Sequence, residues 1–229
     1  MASSDVTLLG APLSPFTNRV QMVLNLKSVH YEFLEESFPF LIKSELLLKS
    51  NPVHKKVPVL IHGGKPVNES LVIVQYIIDV WTGGPGNLPL DPYDRAMARF
   101  WAAYLDAEWW PLLRGLHNAE GKEAEATALG KFMEGIMLLE DAFAKCGKGK
   151  DYFGGDTIGY LDVILGGFLG WLRATEKMTN LKILNASKTP GLFGWAHRFG
   201  SNAAVKDVIP ETEKVVELAK TFAAIARAQ

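Results

Sequence analysis

With 229 residues and 25.2 kDa, the chain is long enough for one large domain or two small ones, and 48% hydrophobic with 21% charged residues excludes a disordered polymer. The charge is nearly balanced at −1, with seven residues of each sign up to residue 80 and seventeen cations against eighteen anions beyond it. No segment carries the basic surplus that binding a phosphate backbone needs, so no nucleic-acid partner is expected.

The N-terminus, MASSDVTLLG, lacks a basic stretch followed by a long apolar run, so it is not read as a signal peptide. The longest uncharged stretch, Val6 to Asn18, is shorter than the ~20 residues that span a bilayer and contains two prolines. A soluble, cytosolic protein with no membrane partner is expected. VTLLG (6–10) reads as a short strand ended by Gly10, Ala11 and Pro12. Pro15 suits the first turn of a helix, and Val20, Val23, Leu24 and Leu26 give that helix an apolar face. VHYEFLE (29–35) alternates like a strand, and SELLLKS (44–50) is a short helix stopped before Asn51-Pro52. VPVLI (57–61), HGG and KPV form a hairpin, and ESLVIVQYIIDVW (69–81) an apolar helix. The order is β-α-β-α-β-β-α.

TGGPGNLPLDP (82–92) is rich in Gly and Pro and has no periodicity, so residues 83–91 are read as a linker between an α/β unit, 1–82, and a helical unit, 92–229. RAMARFWAAYLDAEWWPLL reads as one long helix, KEAEATALGKFMEGIMLLEDAFAKC as a second and LDVILGGFLGWLRATE as a third. TPGLFGWAHRFGS begins with Thr189 as N-cap and Pro190 at the first helical position, and ETEKVVELAKTFAAIARAQ closes the chain. The fold class is therefore α+β, in two domains.

Few residues point to chemistry. The single cysteine, Cys146, excludes a disulfide framework and a CxxC pair, and in AKCGKGK it reads as a surface thiol. The histidines at 30, 54, 62, 117 and 197 are not spaced as metal ligands, so no metal site is expected. No GxSxG, P-loop or GxGxxG is present. Ser14, between the first strand and the Pro15 helix, puts a hydroxyl at a helix N-terminus, where an anion is favoured; a plain N-cap accounts for it as well. Glu69-Ser70 opens another helix with the same two readings. Val57-Pro58 starts a strand without an N–H, which suits an edge, a bend or a cis bond, and a cis bond would turn the Val57 backbone toward an extended peptide ligand. Lys43 and Lys56 add cations. Together these describe a ligand with carboxylates at both ends and a peptide middle.

The order Ser-Pro-Phe, Lys-Ser-Glu-Leu-Leu-Leu, Asn-Pro-Val-His-Lys-Lys-Val-Pro-Val-Leu and Asn-Glu-Ser-Leu resembles the glutathione-binding half of plant tau-class glutathione transferases. LPLDPYDRAMARFWAAY resembles the start of that class's helical domain, and YFGGDTIGYLDVILGG its buried structural motif. The resemblance implies a thioredoxin-like domain followed by an all-helical one, and conjugation of glutathione to hydrophobic electrophiles in detoxification. Glutathione would be a co-substrate; no cofactor is implied. Ser14 would hydrogen-bond the glutathione sulfur, Lys43 and Lys56 would lie near the glycyl carboxylate, Val57 before a cis Pro58 would pair with the cysteinyl moiety, and Glu69 and Ser70 would hold the γ-glutamyl end. A serine in this place argues against the relatives that work through mixed disulfides. Peroxide reduction needs the same thiolate and is not separated from conjugation by sequence. A non-catalytic carrier of hydrophobic molecules is the alternative.

The chain departs from the family at Pro12-Leu13, where many relatives have Trp-Pro, at Ile42 and at Gly159. Asp162 is expected to reach back to the Gly159 cap as half of a capping box. The electrophile site is expected from Leu13, Phe16, Trp110, Arg114 and Trp171, with Trp110 and Arg114 one turn apart on a shared face. Arg95 and Arg99 lie on the helix that the resemblance places in a homodimer interface.

Overall fold

The computed structural model describes residues 5–36 and 43–227. Ile42 lies outside them. Strands β1 (Val6–Gly10), β2 (Glu32–Glu35), β3 (Val59–His62) and β4 (Lys65–Asn68) form one sheet in the order β2-β1-β3-β4, with β1 parallel to β2 and the other pairs antiparallel. Helices α1 (Pro15–Leu26) and α3 (Ser70–Val80) cover one face and α2 (Glu45–Ser50) the other. The two-residue period of a strand sorts the side chains between them. Leu8 and Leu60 join the α1 and α3 core, whereas their neighbours Leu9 and Val59 pack with Leu47 of α2. Truncating any of these fully buried aliphatic side chains to Ala would cost about 2–5 kcal/mol.

β2 is shorter than the predicted 29–35. Ser28, at φ +54°, ends α1, and the Val29 N–H bonds the Leu24 carbonyl, so these residues finish the helix before the strand begins. β3 likewise starts two residues after Val57, since Pro58, in a cis peptide with Val57, has no N–H to give to the ladder.

The helical half contains α4 (Pro92–Tyr104), α5 (Trp110–Asn118), α6 (Lys122–Gly147), α7 (Tyr160–Gly166), α8 (Leu169–Thr179), α9 (Pro190–Ser201) and α10 (Thr212–Arg227). Asp91 caps α4 by accepting from Tyr93 and Asp94 N–H, both at 2.9 Å. The predicted single helix through RAMARFWAAYLDAEWWPLL is interrupted by a π-helical turn, Leu105–Trp109, in which Trp110 N–H reaches back five residues to the Leu105 carbonyl. Pro111 has no N–H and crowds the carbonyl four residues before it, and the wider turn accommodates it.

The predicted helix over LDVILGGFLGWLRATE is likewise two, α7 and α8. The glycines between them serve close packing. A Cβ on Gly166 would enter the Phe199 ring at 2.1 Å, and one on Gly167 would meet the Pro15 carbonyl oxygen at 2.5 Å. Thr189 precedes α9, but its hydroxyl bonds Asn185 instead of capping. The first N–H groups of α9, from Gly191 and Leu192, are accepted by the Glu140 carboxylate of α6 at 2.7 and 2.8 Å.

Asp162 does reach Gly159 N–H, at 2.8 Å, and also accepts from Phe153 N–H, Gly154 N–H and Trp195 Nε1 at 2.8–2.9 Å. Burial pushes its pKa up to about 6, while the four donors pull it down. A Cβ on Gly159 would stand 2.7 Å from Gly154 Cα, which accounts for glycine at this cap. Cys146 is half-buried against the core and not the surface thiol expected, and burial raises its pKa. Among the described residues no helix is long and apolar enough to cross a membrane.

Candidate active site

Sheet register brings the predicted binding residues to one edge of the molecule. Leu9 pairs with Val59 and Val59 with Asn68, while Gly10 pairs with Glu35. The end of β1, the start of β3 and the ends of β2 and β4 therefore lie together. Ser14 follows β1, Lys56, Val57 and Pro58 precede β3, and Glu69 and Ser70 follow β4. Lys43 comes to the same edge through Glu36, just past β2, whose buried carboxylate accepts from the Ser44 N–H and the Ser44 hydroxyl.

Ser14 is half-buried at the N-cap of α1, and its Oγ accepts from Thr17 N–H at a long 3.4 Å. The cap bond is weak, and the hydroxyl proton is free to donate to another acceptor. The loop before it is pinned from several sides. Ala11 N–H bonds Thr17 Oγ1 at 3.2 Å, Ser14 N–H bonds the Ala11 carbonyl at 3.0 Å, and Asn18 Nδ2 bonds the Pro12 carbonyl at 2.8 Å.

Glu69 occupies the cap position of α3 at φ +70°, ψ 118°, a conformation rare for a side chain with Cβ, and makes no side-chain capping bond. The first N–H groups of α3 thus receive no cap from the Glu69 side chain, and the macrodipole adds positive potential there. The Glu69 carboxylate is exposed, 3.7 Å from His54 Nε2. Asn51 braces the approach to Val57 by donating to the Lys56 carbonyl at 2.9 Å and accepting from His54 N–H. Lys56 is exposed and Lys43 half-buried.

Beneath these residues lies Arg19, fully buried. Its Nε donates to the Ile164 carbonyl at 3.0 Å, Nη1 to Ser70 Oγ at 3.2 Å, and Nη1 and Nη2 to the Asp106 carboxylate at 3.0 and 2.6 Å. The guanidinium also stands over the Phe168 ring, 4.5 Å from its centre. Because Ser70 Oγ accepts from Arg19, its own proton is left to donate outward. Sequence reasoning missed Arg19, Asp106 and Glu36. An arginine on the inner side of an otherwise apolar helix is the signal that could have found the first.

Four aromatic residues continue from Ser14 into the helical half. Phe16 meets Trp110 and Phe168 edge-on, both at 6.0 Å, Trp110 stacks on Phe168 at 5.1 Å, and Trp171 meets Trp110 edge-on at 5.2 Å. Trp171 also stacks on His117 and on Phe222 of α10. Burial lowers the His117 pKa to about 4, and its Nε2 lies 2.9 Å from Thr175 Oγ1. Phe168, His117 and Phe222 were not anticipated. Arg114 is solvent-exposed on α5, one turn beyond Trp110. A cleft of about 560 Å³ runs along the loop before Ser14, between Ala11, Pro12 and Leu13 and the α10 residues Glu213, Lys214 and Glu217. A larger hollow, about 680 Å³, lies between α5 and α6, and none of the predicted site residues lines it.

The family description "Glutathione S-transferase, N-terminal domain" fits residues 4–79, and "Glutathione S-transferase, C-terminal domain" fits residues 122–198. The chain is 58% identical to glutathione S-transferase U17 of Arabidopsis thaliana, over 96% of each. It superposes with a TM-score of 0.91 on the crystal structure of a tau-class glutathione S-transferase from mango, at 58% identity over 96% of this chain and 99% of that one. The chain belongs to the tau class of the glutathione S-transferases.

A rice glutathione S-transferase solved in complex with glutathione is 35% identical, with a TM-score of 0.86 over 96% of each chain. Membership shows the fold of this transferase: a thioredoxin-like half followed by a helical half. Among the described residues no group of His, Cys, Asp and Glu is arranged to hold a metal ion.

Proposed function

We propose that this tau-class transferase joins the glutathione sulfur to an apolar electrophile beside Ser14, where the cleft along the Ala11–Leu13 loop adjoins the aromatic cluster. The observation that carries the reading is the convergence of two helix N-termini at one sheet edge, one with an under-used serine hydroxyl and one with uncapped N–H groups. At α3, those N–H groups and the outward proton of Ser70 suit the γ-glutamyl carboxylate, and the Glu69 carboxylate suits its ammonium. The Val57 backbone pairs with the cysteinyl part, and Lys43 and Lys56 face the glycyl carboxylate. This leaves the thiol at Ser14.

A free thiol with a pKa near ~8.5 is mostly protonated at neutral pH. The Ser14 O–H donates to the sulfur and the α1 N-terminus adds positive potential, and both favour the thiolate. The thiol proton leaves to solvent. The thiolate attacks the electrophilic carbon, the new carbon–sulfur bond forms, and the leaving group departs with its electron pair. Phe16, Trp110 and Trp171, with Leu13 at the loop, form the apolar side of the electrophile site, and Arg114 orients its polar end from the rim. The rice relative solved with glutathione supports the ligand. The division at residues 1–82 and 92–229, with 83–91 between, and a cytosolic location belong to the same proposal.

A homodimer completes it. Tyr93 and Phe100 on α4 are 70% and 54% exposed, and Val53 and Val72 in the α/β half are 80% and 53% exposed. Apolar residues this open on both halves suit a partner surface. Arg99 already donates to Gln75 Oε1 of its own chain at 2.9 Å, so Arg95 is the freer cation for such a contact. Light scattering at micromolar concentration is expected to give twice the chain mass.

The catalytic assignment is tested by Ser14→Ala with glutathione and chlorodinitrobenzene. Turnover should fall about 10²–10³-fold, the scale of one preorganised donor, with glutathione affinity changed far less. Unchanged turnover together with an unmoved titration of the bound thiol rules Ser14 out.

A further inference from the structure

We infer that Trp171 is a positioning residue for Ser14, acting through the Leu13 carbonyl that its indole N–H holds. The inference rests on the reading of Ser14 given above and goes beyond Trp171 as a wall of the electrophile site.

The hydrogen bonds that fix the loop from Ala11 to Ser14 divide into two kinds. Those from Thr17, Asn18 and the loop itself are local, within six residues, and fold with the start of α1. The bond from Trp171 Nε1 to the Leu13 carbonyl, at 3.0 Å, spans 158 positions and comes from α8 in the helical half. Leu13 is the residue immediately before Ser14, so its carbonyl belongs to the peptide that carries the Ser14 nitrogen. Rotating that peptide moves the Ser14 hydroxyl. The local bonds leave this one carbonyl to the helical half, and its partner fixes it from a rigid place. Trp171 is 4% exposed, and its ring is held edge-on by Trp110 and face-on by His117. A buried indole wants an acceptor for its N–H, and here that acceptor is the loop.

The same ring belongs to the aromatic wall, so the wall and the thiolate donor share one side chain. Misplacing a hydroxyl by a fraction of an ångström weakens a charge-assisted hydrogen bond steeply. The groups around the ring do not obscure this near neutral pH. His117 is neutral there because burial lowers its pKa to about 4, and Glu213 and Glu217, along the cleft on α10, are paired with Lys177 and Lys220.

The test is Trp171→Phe, which keeps an aromatic ring and deletes the donor. The titration of bound glutathione, followed by thiolate absorbance, should move up by about 0.5–1 pH unit, and turnover at pH 6.5 should fall about fivefold, the scale of one hydrogen bond. Glutathione affinity should stay within about twofold, since the peptide contacts are elsewhere. The double variant with Ser14→Ala should titrate like Ser14→Ala alone. Trp110→Phe alters the same wall without touching Leu13, and should change KM for the electrophile while leaving the thiol titration in place. Equal shifts in the Trp110 and Trp171 variants would overturn the inference, as would an unmoved titration in Trp171→Phe where Ser14→Ala does move it. If Ser14→Ala moves nothing, the Ser14 reading fails and this inference with it. Should Trp171→Phe not fold, the unaltered protein decides. The Trp171 indole N–H resonance must shift as the bound thiol is titrated, because coupling is reciprocal, and a fixed resonance refutes it.

Discussion

At the scale of single residues, the transferase separates groups that face water from groups whose titration burial displaces. His117 belongs to the second kind. It packs against Trp171 and lies 2.9 Å from Thr175 Oγ1, and its pKa is lowered to about 4. The unfolded chain takes up this proton near its ordinary value of ~6.5, the folded protein only near pH 4. Between these values the unfolded state binds more protons, so stability is present above pH 6.5 and is lost as pH falls toward 4. Urea midpoints of the unaltered protein and of His117→Gln, compared at pH 7.5 and 5.0, should show the smaller acid-induced drop in the variant. An equal drop in both would assign the acid sensitivity to other groups. Asn18 illustrates a different economy: its amide holds the Pro12 carbonyl while its buried Oδ1 meets no partner among the described residues.

At the scale of elements, helix ends are completed from a distance. The first N–H groups of α9 depend on Glu140, about fifty positions away on α6, and not on Thr189 beside them. Glu140→Ala should therefore destabilise the protein by about 1–2 kcal/mol, the consequence of leaving two part-buried helix donors unmet, while Thr189→Ala acts only through Asn185. Thermal unfolding of the two variants checks the order. Gly167 sets how closely the α7–α8 junction approaches α1. A Cβ there would stand 2.5 Å from the Pro15 carbonyl and 2.7 Å from Arg19 Cγ. Gly167→Ala should lose about 1–3 kcal/mol by overpacking, and turnover should fall more than stability explains, since Pro15 adjoins Ser14. Full activity at a lowered melting temperature would separate the junction from the site.

At the scale of the whole molecule, Arg19 fastens the halves together. From α1 in the sheet-bearing half it reaches the α7 backbone and the Asp106 carboxylate in the π-helical turn, and it holds Ser70 on the way. The buried core is likewise continuous, with Leu8, Ile73, Trp109 and Phe168 in one cluster. One cooperative unfolding transition is expected. Asp106→Ala leaves a buried guanidinium without its counter-charge, which typically costs about 3–5 kcal/mol. Calorimetry should find a lower melting temperature for this variant, and glutathione binding should weaken because Ser70 loses a fixed partner. An unchanged melting temperature would mean that the pair contributes nothing net.

Local signals in the sequence determined the order of elements and the ends whose chemistry is near at hand. Strand alternation, Ser44 before α2, and the Gly63-Gly64 turn act within a few residues, so their outcome is readable from the chain; Asp91 and Pro92, read with the linker, in fact start α4. Ser14, Val57-Pro58 and Glu69-Ser70 were legible as helix-end and strand-start residues. That they share one edge follows only from the pairing of β1 with β3 and of β3 with β4. The π-helical turn, the break between α7 and α8, the cap on α9 and the burial of Arg19 were decided by the tertiary structure. Each depends on a group far away in sequence or on the space between packed helices, and hydrophobic periodicity carries neither. The Trp171 bond to Leu13 is of the same kind: an indole in an apolar helix reads as core until the fold shows which carbonyl its N–H meets.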